Sequence, residues 1–381
     1  MLLNEDDSLP RLQKELARRL HADRGLLDAL RDEIRPLRSV TRRIQPRSTT
    51  SIALVGTDGG NNRIQFDPFL VQIVRVVDSA DNEYCLEAVT PTTDVMALSA
   101  DQFDGSGDPR TALGELMGYL GVGDLPALSH MIRRNEDGRP TSTSWVLTYR
   151  GLVEWAILFN IIRNKDFGTD TLIVCDGLLR SKLFAKDYFP RMMTGIKEAI
   201  DSQYQRSRRR IYLAGIAKHN AVLTRYRLAM SLEEVLHCEY PAYVEIPRAL
   251  EENAYVWSEW ARGEDIEGGE INRFVGGKMF FVKFGSGTRD PVWPIDIFAP
   301  QTDKTQLILG HLLADAIEGF PVAHYPRCLQ KAHENAALVD FDFDILRDEV
   351  FAGLRLVLGD ESQKLDVFRL QDPDPARSRY S

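Results

Sequence analysis

The stretch that most constrains this chain is 172–182, LIVCDGLLRSK. Four apolar β-formers run straight into an acid and a glycine, the way a buried strand delivers a carboxylate to the edge of a sheet. That carboxylate is Asp176. A partner of the same build lies upstream at 52–60, IALVGTDGG, where a strand again ends on an acid, Asp58, and two glycines let the backbone turn. Two strand-end acids that meet in space make a metal site, so the remaining question is what else the chain brings to it.

Composition bounds the class. With 381 residues, 44% hydrophobic and 27% charged, the chain can bury a sizeable core and is neither fibrous nor disordered. Cys85, Cys175, Cys238 and Cys328 stand far apart with no CxxC pair, which reads as reduced cytosolic thiols. The N-terminus, MLLNEDDSLPR, carries acids where a signal peptide needs bases, and no apolar run is expected to reach the ~18 residues of a membrane span. These features predict a cytoplasmic protein without a membrane partner. The formal charge of -9 argues against indiscriminate nucleic-acid binding through the whole surface but leaves two local clusters. One is Arg206, Arg208, Arg209 and Arg210; the other, looser, is Arg31, Arg35, Arg38, Arg42, Arg43 and Arg47. Taken singly, each also fits a solvated charged face.

Along the chain, Leu16, Leu20, Leu27, Leu30, Ile34 and Leu37 recur at helical spacing, predicting one long helix over 9–37 that Pro36 and Pro46 end. Residues 1–47 are thus an N-terminal helical arm. A strand meander follows at 52–55, 69–77 and 84–89, then a loop-rich 91–109 and a helix over 110–120. The segment 144–162, SWVLTYRGLVEWAILFNII, predicts an apolar helix capped by Ser144, with one acid, Glu154, in its midst. An acid there is costly unless paired or bound to a cation, which makes Glu154 the third candidate ligand. A helix over 187–203 leads to a strand at 211–216 that ends at Lys218. Residues 251–277, glycine-rich and mixed in charge, read as an insertion. Strands at 279–284 and 292–298 and a helix over 302–320 complete a domain spanning 48–370, and the polar tail 371–381 reads as disordered.

The last informative stretch is 324–338, HYPRCLQKAHENAAL. Pro326 suits a helix start, so Tyr325 stands at that start and His333 lies about two turns on, able to look towards the same site. Each residue also has a plainer reading. Asp58 can close an Asx-type turn with its glycines, Asp176 can cap a helical turn, Glu154 can pair with Arg150 one turn earlier, and His333 can be an ordinary histidine.

Taken in order, these motifs resemble the NurA family of DNA repair nucleases: GTDGG with Asp58, VEWAI with Glu154, LIVCDGLL with Asp176, LAGIAK with Lys218, and YPRCLQKAH with Tyr325 and His333. The first motif departs from the VDGS-like run more usual there. The resemblance spans about 50–340 and implies an α/β fold with a ribonuclease H-like mixed β-sheet flanked by helices. It further implies a ring-shaped homodimer, manganese-dependent exonuclease and endonuclease activity on DNA, and work with a HerA-type hexameric ATPase in end resection or antiphage defence. The residue chemistry agrees. Two divalent ions about 4 Å apart provide for nucleophile, charge and leaving group in phosphodiester hydrolysis. Carboxylates suit Mg2+ or Mn2+, and an imidazole tilts the choice to Mn2+. Asp58, Asp176, Glu154 and His333 are the expected ligands, with Lys218 on the phosphate and Tyr325 hydrogen-bonding a phosphate oxygen or the attacking water.

Two other classes use the same segments. In a sugar kinase or actin-like ATPase, GTDGGNN and GSGT at 285–288 would be phosphate loops. In a catalytically inactive adaptor, the arm would dock on an ATPase. No Walker A sequence occurs, so translocation energy must come from a partner.

Overall fold

The computed structural model describes residues 5–47, 53–66, 69–137, 139–255, 273–337 and 340–365. The linker 48–52, the centre of the expected insertion (256–272) and the tail 371–381 lie outside them. The strands are β1 Arg42–Arg43, β2 Ala53–Phe66, β3 Phe69–Asp78, β4 Glu83–Val89, β5 Thr171–Asp176, β6 Ile211–Ile216, β7 Ala242–Glu245, β8 Gly277–Lys283 and β9 Val292–Phe298. The helices are α1 Glu5–Ala22, α2 Arg24–Ile34, α3 Val95–Ala100, α4 Ala112–Leu120, α5 Leu125–Leu128, α6 Trp145–Asn164, α7 Tyr188–Ser207, α8 Ala221–Leu232, α9 Arg248–Ala254, α10 Thr305–Ile317, α11 Arg327–Ala336 and α12 Asp340–Leu358.

The strands form one mixed sheet in the order β1-β7-β8-β9-β6-β5-β2-β3-β4. β2, β3 and β4 are an antiparallel meander; β2, β5 and β6 run parallel; β6, β9, β8, β7 and β1 pair antiparallel. A central parallel strand is covered on both faces and therefore reads as an unbroken apolar run. Leu172, Ile173 and Val174 accordingly have no exposed surface. Side chains alternate between the faces. Ile173 enters the core built with α4, α6 and α7, whereas Leu172 and Val174 enter the one built with α10 and α11. By the same alternation Asp176 falls on the α11 face.

Several expectations need correcting. The single helix over 9–37 breaks at Asp23 into α1 and α2, and Pro36 sits inside a 3-10 turn, Arg35–Val40. Only the late part of the leucine seam is buried: Ile34 and Leu37 pack against α8, while Leu16 and Leu20 stay exposed. Four arginines of this arm are engaged in docking it. Arg31 and Arg35 bond Glu233 at 2.6 and 2.7 Å, Arg38 pairs with Glu234, and Arg43 lies over the Tyr240 ring. The second cluster, Arg206 to Arg210, precedes β6 and so lies at the end of the sheet opposite the strand-end acids. Six β residues at ~3.3 Å each separate the two ends by roughly 20 Å.

Ser144 occupies the N-cap of α6, but its hydroxyl pairs with Ser142 instead of capping the helix. α6 is long and apolar enough to cross a membrane, contrary to expectation, yet 67% of its apolar window is buried inside the fold. It is spent on the core, where each fully buried Leu, Ile or Phe is worth about 1.5–3 kcal/mol. The loop-rich 91–109 contains α3, capped by Asp94. Both described ends of the segment read as an insertion are packed, with Glu251 and Val275 fully buried.

Candidate metal centre

The parallel pairing of β2 with β5 sets the site. Gly56 lies opposite Val174 and Thr57 opposite Cys175, so Asp58 and Asp176 emerge side by side where the two strands end their contact. Gly56 shares a face with Asp58, and its lack of a side chain is what lets α11 settle there, since a Cβ would collide with the Cys328 carbonyl. α11 is thereby seated with its last turn over Asp58. The His333 Nδ1 lies 2.7 Å from the Asp58 Oδ2. Gly59 points the other way, towards α6, and any Cβ on it would run into the Glu154 carboxyl. The one acid of α6 thus reaches round the strand end to the acids of the opposite face.

On Asp176, the Tyr325 hydroxyl donates to Oδ1 at 3.3 Å, and the Lys218 Nζ donates to Oδ2 at 3.3 Å. Tyr325 is 2% exposed, with its ring under Lys218 at 5.7 Å and edge-on to Trp293 at 4.9 Å. The Trp293 indole N–H also donates to the His324 carbonyl at 2.6 Å, fixing the backbone just before Tyr325. Asp58, Asp176 and His333 each offer a ligand atom, all within 4.8 Å of one another, a donor set that fits a divalent cation. With Glu154, Arg150, Lys218 and His219 they line a cleft of about 590 Å³.

Electrostatics point the same way. Burial raises the Asp58 carboxyl, the neighbouring Asp176 charge adds to this, and His333 opposes it. Burial carries Glu154 up to about 7 against the pull of Arg150, with Asp58 and Asp176 adding to the rise. The Glu154 side chain is 34% exposed and lines the cleft. The pKa of both carboxyls stays raised even though His333 and Arg150 stand beside them, as expected where acids are crowded together.

A pH dependence follows. Glu154 keeps its proton to about 7, so a cation that binds it must displace that proton, and Mn2+ affinity should fall about tenfold from pH 8 to pH 6, as calorimetry would register. For the metal-free protein the sign is opposite. A carboxyl raised above its ordinary 4.5 contributes stability below that value and loses it as pH rises through about 7. Unfolding midpoints without metal should therefore decline over that window. An affinity flat across it would remove Glu154 from the ligand set.

All six residues singled out from the sequence, Asp58, Glu154, Asp176, Lys218, Tyr325 and His333, thus meet at one strand-end site. One of the plainer readings holds beside this: Arg150 Nε lies 3.2 Å from Glu154 Oε1. The Asx-type turn at Asp58 does not form, since Asp58 Oδ1 takes only the adjacent Gly59 N–H, at 2.7 Å, within a continuous strand. The phosphate-loop reading fails. GTDGG runs as extended strand with its backbone paired to β3, from Thr57 opposite Asp78 to Gly60 opposite Arg75. In GSGT, the Gly287 N–H is taken by Asp290 Oδ2 at 2.6 Å, placing an anion where a phosphate would have to bind. Gly59, Arg150 and Trp293 are contributors the sequence did not mark as part of a site. Gly59 was visible only as a turn residue, and Trp293 gave no signal.

Fold and site together define an α/β protein with a carboxylate-imidazole cluster at the ends of two parallel strands. No model of a protein family matches the chain, and no curated protein does. Among solved structures the chain is similar to the NurA nuclease from Sulfolobus solfataricus, at 11% identity and a TM-score of 0.42, covering 92% of this chain and 98% of that one. It is similar to a second NurA structure at 12% identity and 0.44, covering 95% and 100%. NurA bound to dAMP and manganese matches at 12% and 0.38, covering 88% and 94%.

Proposed function

We propose that this protein is a metal-dependent DNA nuclease that hydrolyses phosphodiester bonds at the Asp58-Asp176 cluster. The observation that carries the reading is the convergence of Asp58, Asp176 and His333 within 4.8 Å, with a lysine and a tyrosine bonded to the same aspartate. Asp58, Asp176, Glu154 and His333 would hold Mn2+ or Mg2+. Bound there, a pair of such ions supplies Lewis acidity and a nucleophilic oxygen at neutral pH.

The chain's own groups do the rest. Lys218 and Tyr325 are bonded to Asp176 and poised to pass their donors to a phosphate oxygen as charge builds on it. Burial pushes the Tyr325 phenol upward, so it stays a donor at any working pH. His333 keeps one nitrogen on Asp58, and with its side chain 64% exposed it can move a proton between the cleft and solvent.

The ordered motifs extend the reading. The sheet is taken as ribonuclease H-like, its β4-β3-β2-β5-β6 portion giving a meander joined to parallel strands. The protein is taken as a cytoplasmic homodimer that cleaves from ends and internally, prefers Mn2+ and works with a HerA-type ATPase in DNA repair or antiphage defence. Incubating end-labelled linear DNA with the wild type and Asp58→Ala in Mn2+, Mg2+ or chelator tests the core of this. Degradation that needs metal and is lost on substitution is expected. Intact DNA in every metal, with or without a HerA-type ATPase, would refute it.

A further inference from the structure

Among the described residues that line the acid cleft, Arg150 and Lys218 are the arginine and the lysine. They stand on opposite sides of the carboxylates: Lys218 follows β6 and bonds Asp176, whereas Arg150 lies on α6, one turn before Glu154. Their degrees of commitment differ. Lys218 already donates to Asp176. The Arg150 side chain has an ion pair with Glu154 at 3.2 Å through its buried Nε, but makes no aligned hydrogen bond among the described residues. A guanidinium carries five N–H donors in a planar fork that matches a phosphate. Here the fork is held at the cleft with its terminal N–H groups unspent among the described residues. Arg150 also lines the adjoining cavity of about 550 Å³, which shares Asp58, Glu154 and Asp176 with the cleft and is walled further by Leu147, Trp155 and Leu178. Arg150 therefore stands at the junction of the two chambers.

On this basis, and resting on the nuclease reading, we propose that Arg150 binds a backbone phosphate of the DNA strand on the α6 side of the cluster, opposite Lys218. The two cations then bracket the strand. Arg150 would exchange its Glu154 partner for the phosphate once a divalent ion neutralised that carboxylate. No covalent step is involved. A residue that only steadies Glu154 would produce a different signature.

The test is equilibrium binding of a fluorescent single-stranded oligodeoxynucleotide in chelator and in Ca2+ across a salt series, with wild type, Arg150→Gln and Arg150→Lys. Losing one phosphate contact should lower the slope of log affinity against log salt by about 0.7. Arg150→Gln is expected to show that drop with binding several-fold weaker, and Arg150→Lys to restore the slope, because a lysine keeps the charge. If Arg150→Gln instead keeps slope and affinity while its Mn2+ binding weakens, Arg150 is a positioning residue for Glu154 and the proposal fails alone, with wild-type cleavage intact. A wild type that neither binds nor cleaves DNA overturns the nuclease reading and the proposal with it.

Discussion

Asp176→Asn should abolish metal-dependent cleavage while leaving the fold no less stable. Its two oxygens serve the Tyr325 hydroxyl and the Lys218 ammonium and face Asp58 and His333 as potential ligands. An amide of the same shape keeps part of that hydrogen bonding but loses the charge a divalent cation requires. A bound metal supplies several kcal/mol of transition-state stabilisation, so the rate should fall about 10³-fold or more. Stability should move the other way. Asp176 repels Asp58 and Glu154, raising both carboxyls, so neutralising it relieves the metal-free protein. Thermal unfolding in chelator should show a midpoint equal to or above that of wild type. Cleavage retained within tenfold would remove Asp176 from the centre of the site.

Arg180→Met should be the most destabilising of these substitutions. Arg180 is four residues beyond Asp176 and bonds both oxygens of Asp296 at 2.8 and 2.9 Å and Glu251 at 2.5 Å, and both acids are fully buried. Removing the cation strands two carboxylates in the interior, a loss of about 3–5 kcal/mol for a broken buried pair. Urea denaturation would read it directly. The ion triad ties the turn after β5 to β9 and α9, so partial loss of activity should accompany the loss of stability. Replacing all three members with apolar residues of similar volume should recover most of the stability, as expected when desolvation of the charges costs as much as their attraction returns. If Arg180→Met unfolds at wild-type urea, the triad carries no net weight.

What the sequence disclosed tracks how local the cause is. The limits of β6 and β9 were readable because continuous apolar runs bounded by polar residues have one reading. Asp58 and Asp176 were readable because a strand end is a local event, and Glu154 because an acid in so apolar a helix demands a partner. The break at Asp23 was not legible: nothing in the leucine spacing distinguishes a seam that packs throughout from one that packs only where α8 lies beneath it. The arm's arginines looked free because their partners, Glu233 and Glu234, lie about two hundred residues away. Arg180, Glu251 and Asp296 are likewise unremarkable singly, and only the fold makes them a triad. GTDGG was misjudged for a different reason. Its glycines looked like turn-makers, whereas Gly56 and Gly59 are small so that α11 and Glu154 can approach a strand that never turns there.

The seating of α11 on β2 has a consequence for how the protein comes into being. Asp58, Glu154 and Asp176 emerge early in synthesis, but Tyr325 and His333 follow roughly 150 residues later and reach the acids only when α11 has docked over Gly56. Domains consolidate as units once their late segments are available. A nascent or truncated chain therefore carries the acids without the imidazole and phenol that complete them. The assembled cluster is thus a property of the folded sheet with α11 in place, and is absent from any chain that ends before residue 325.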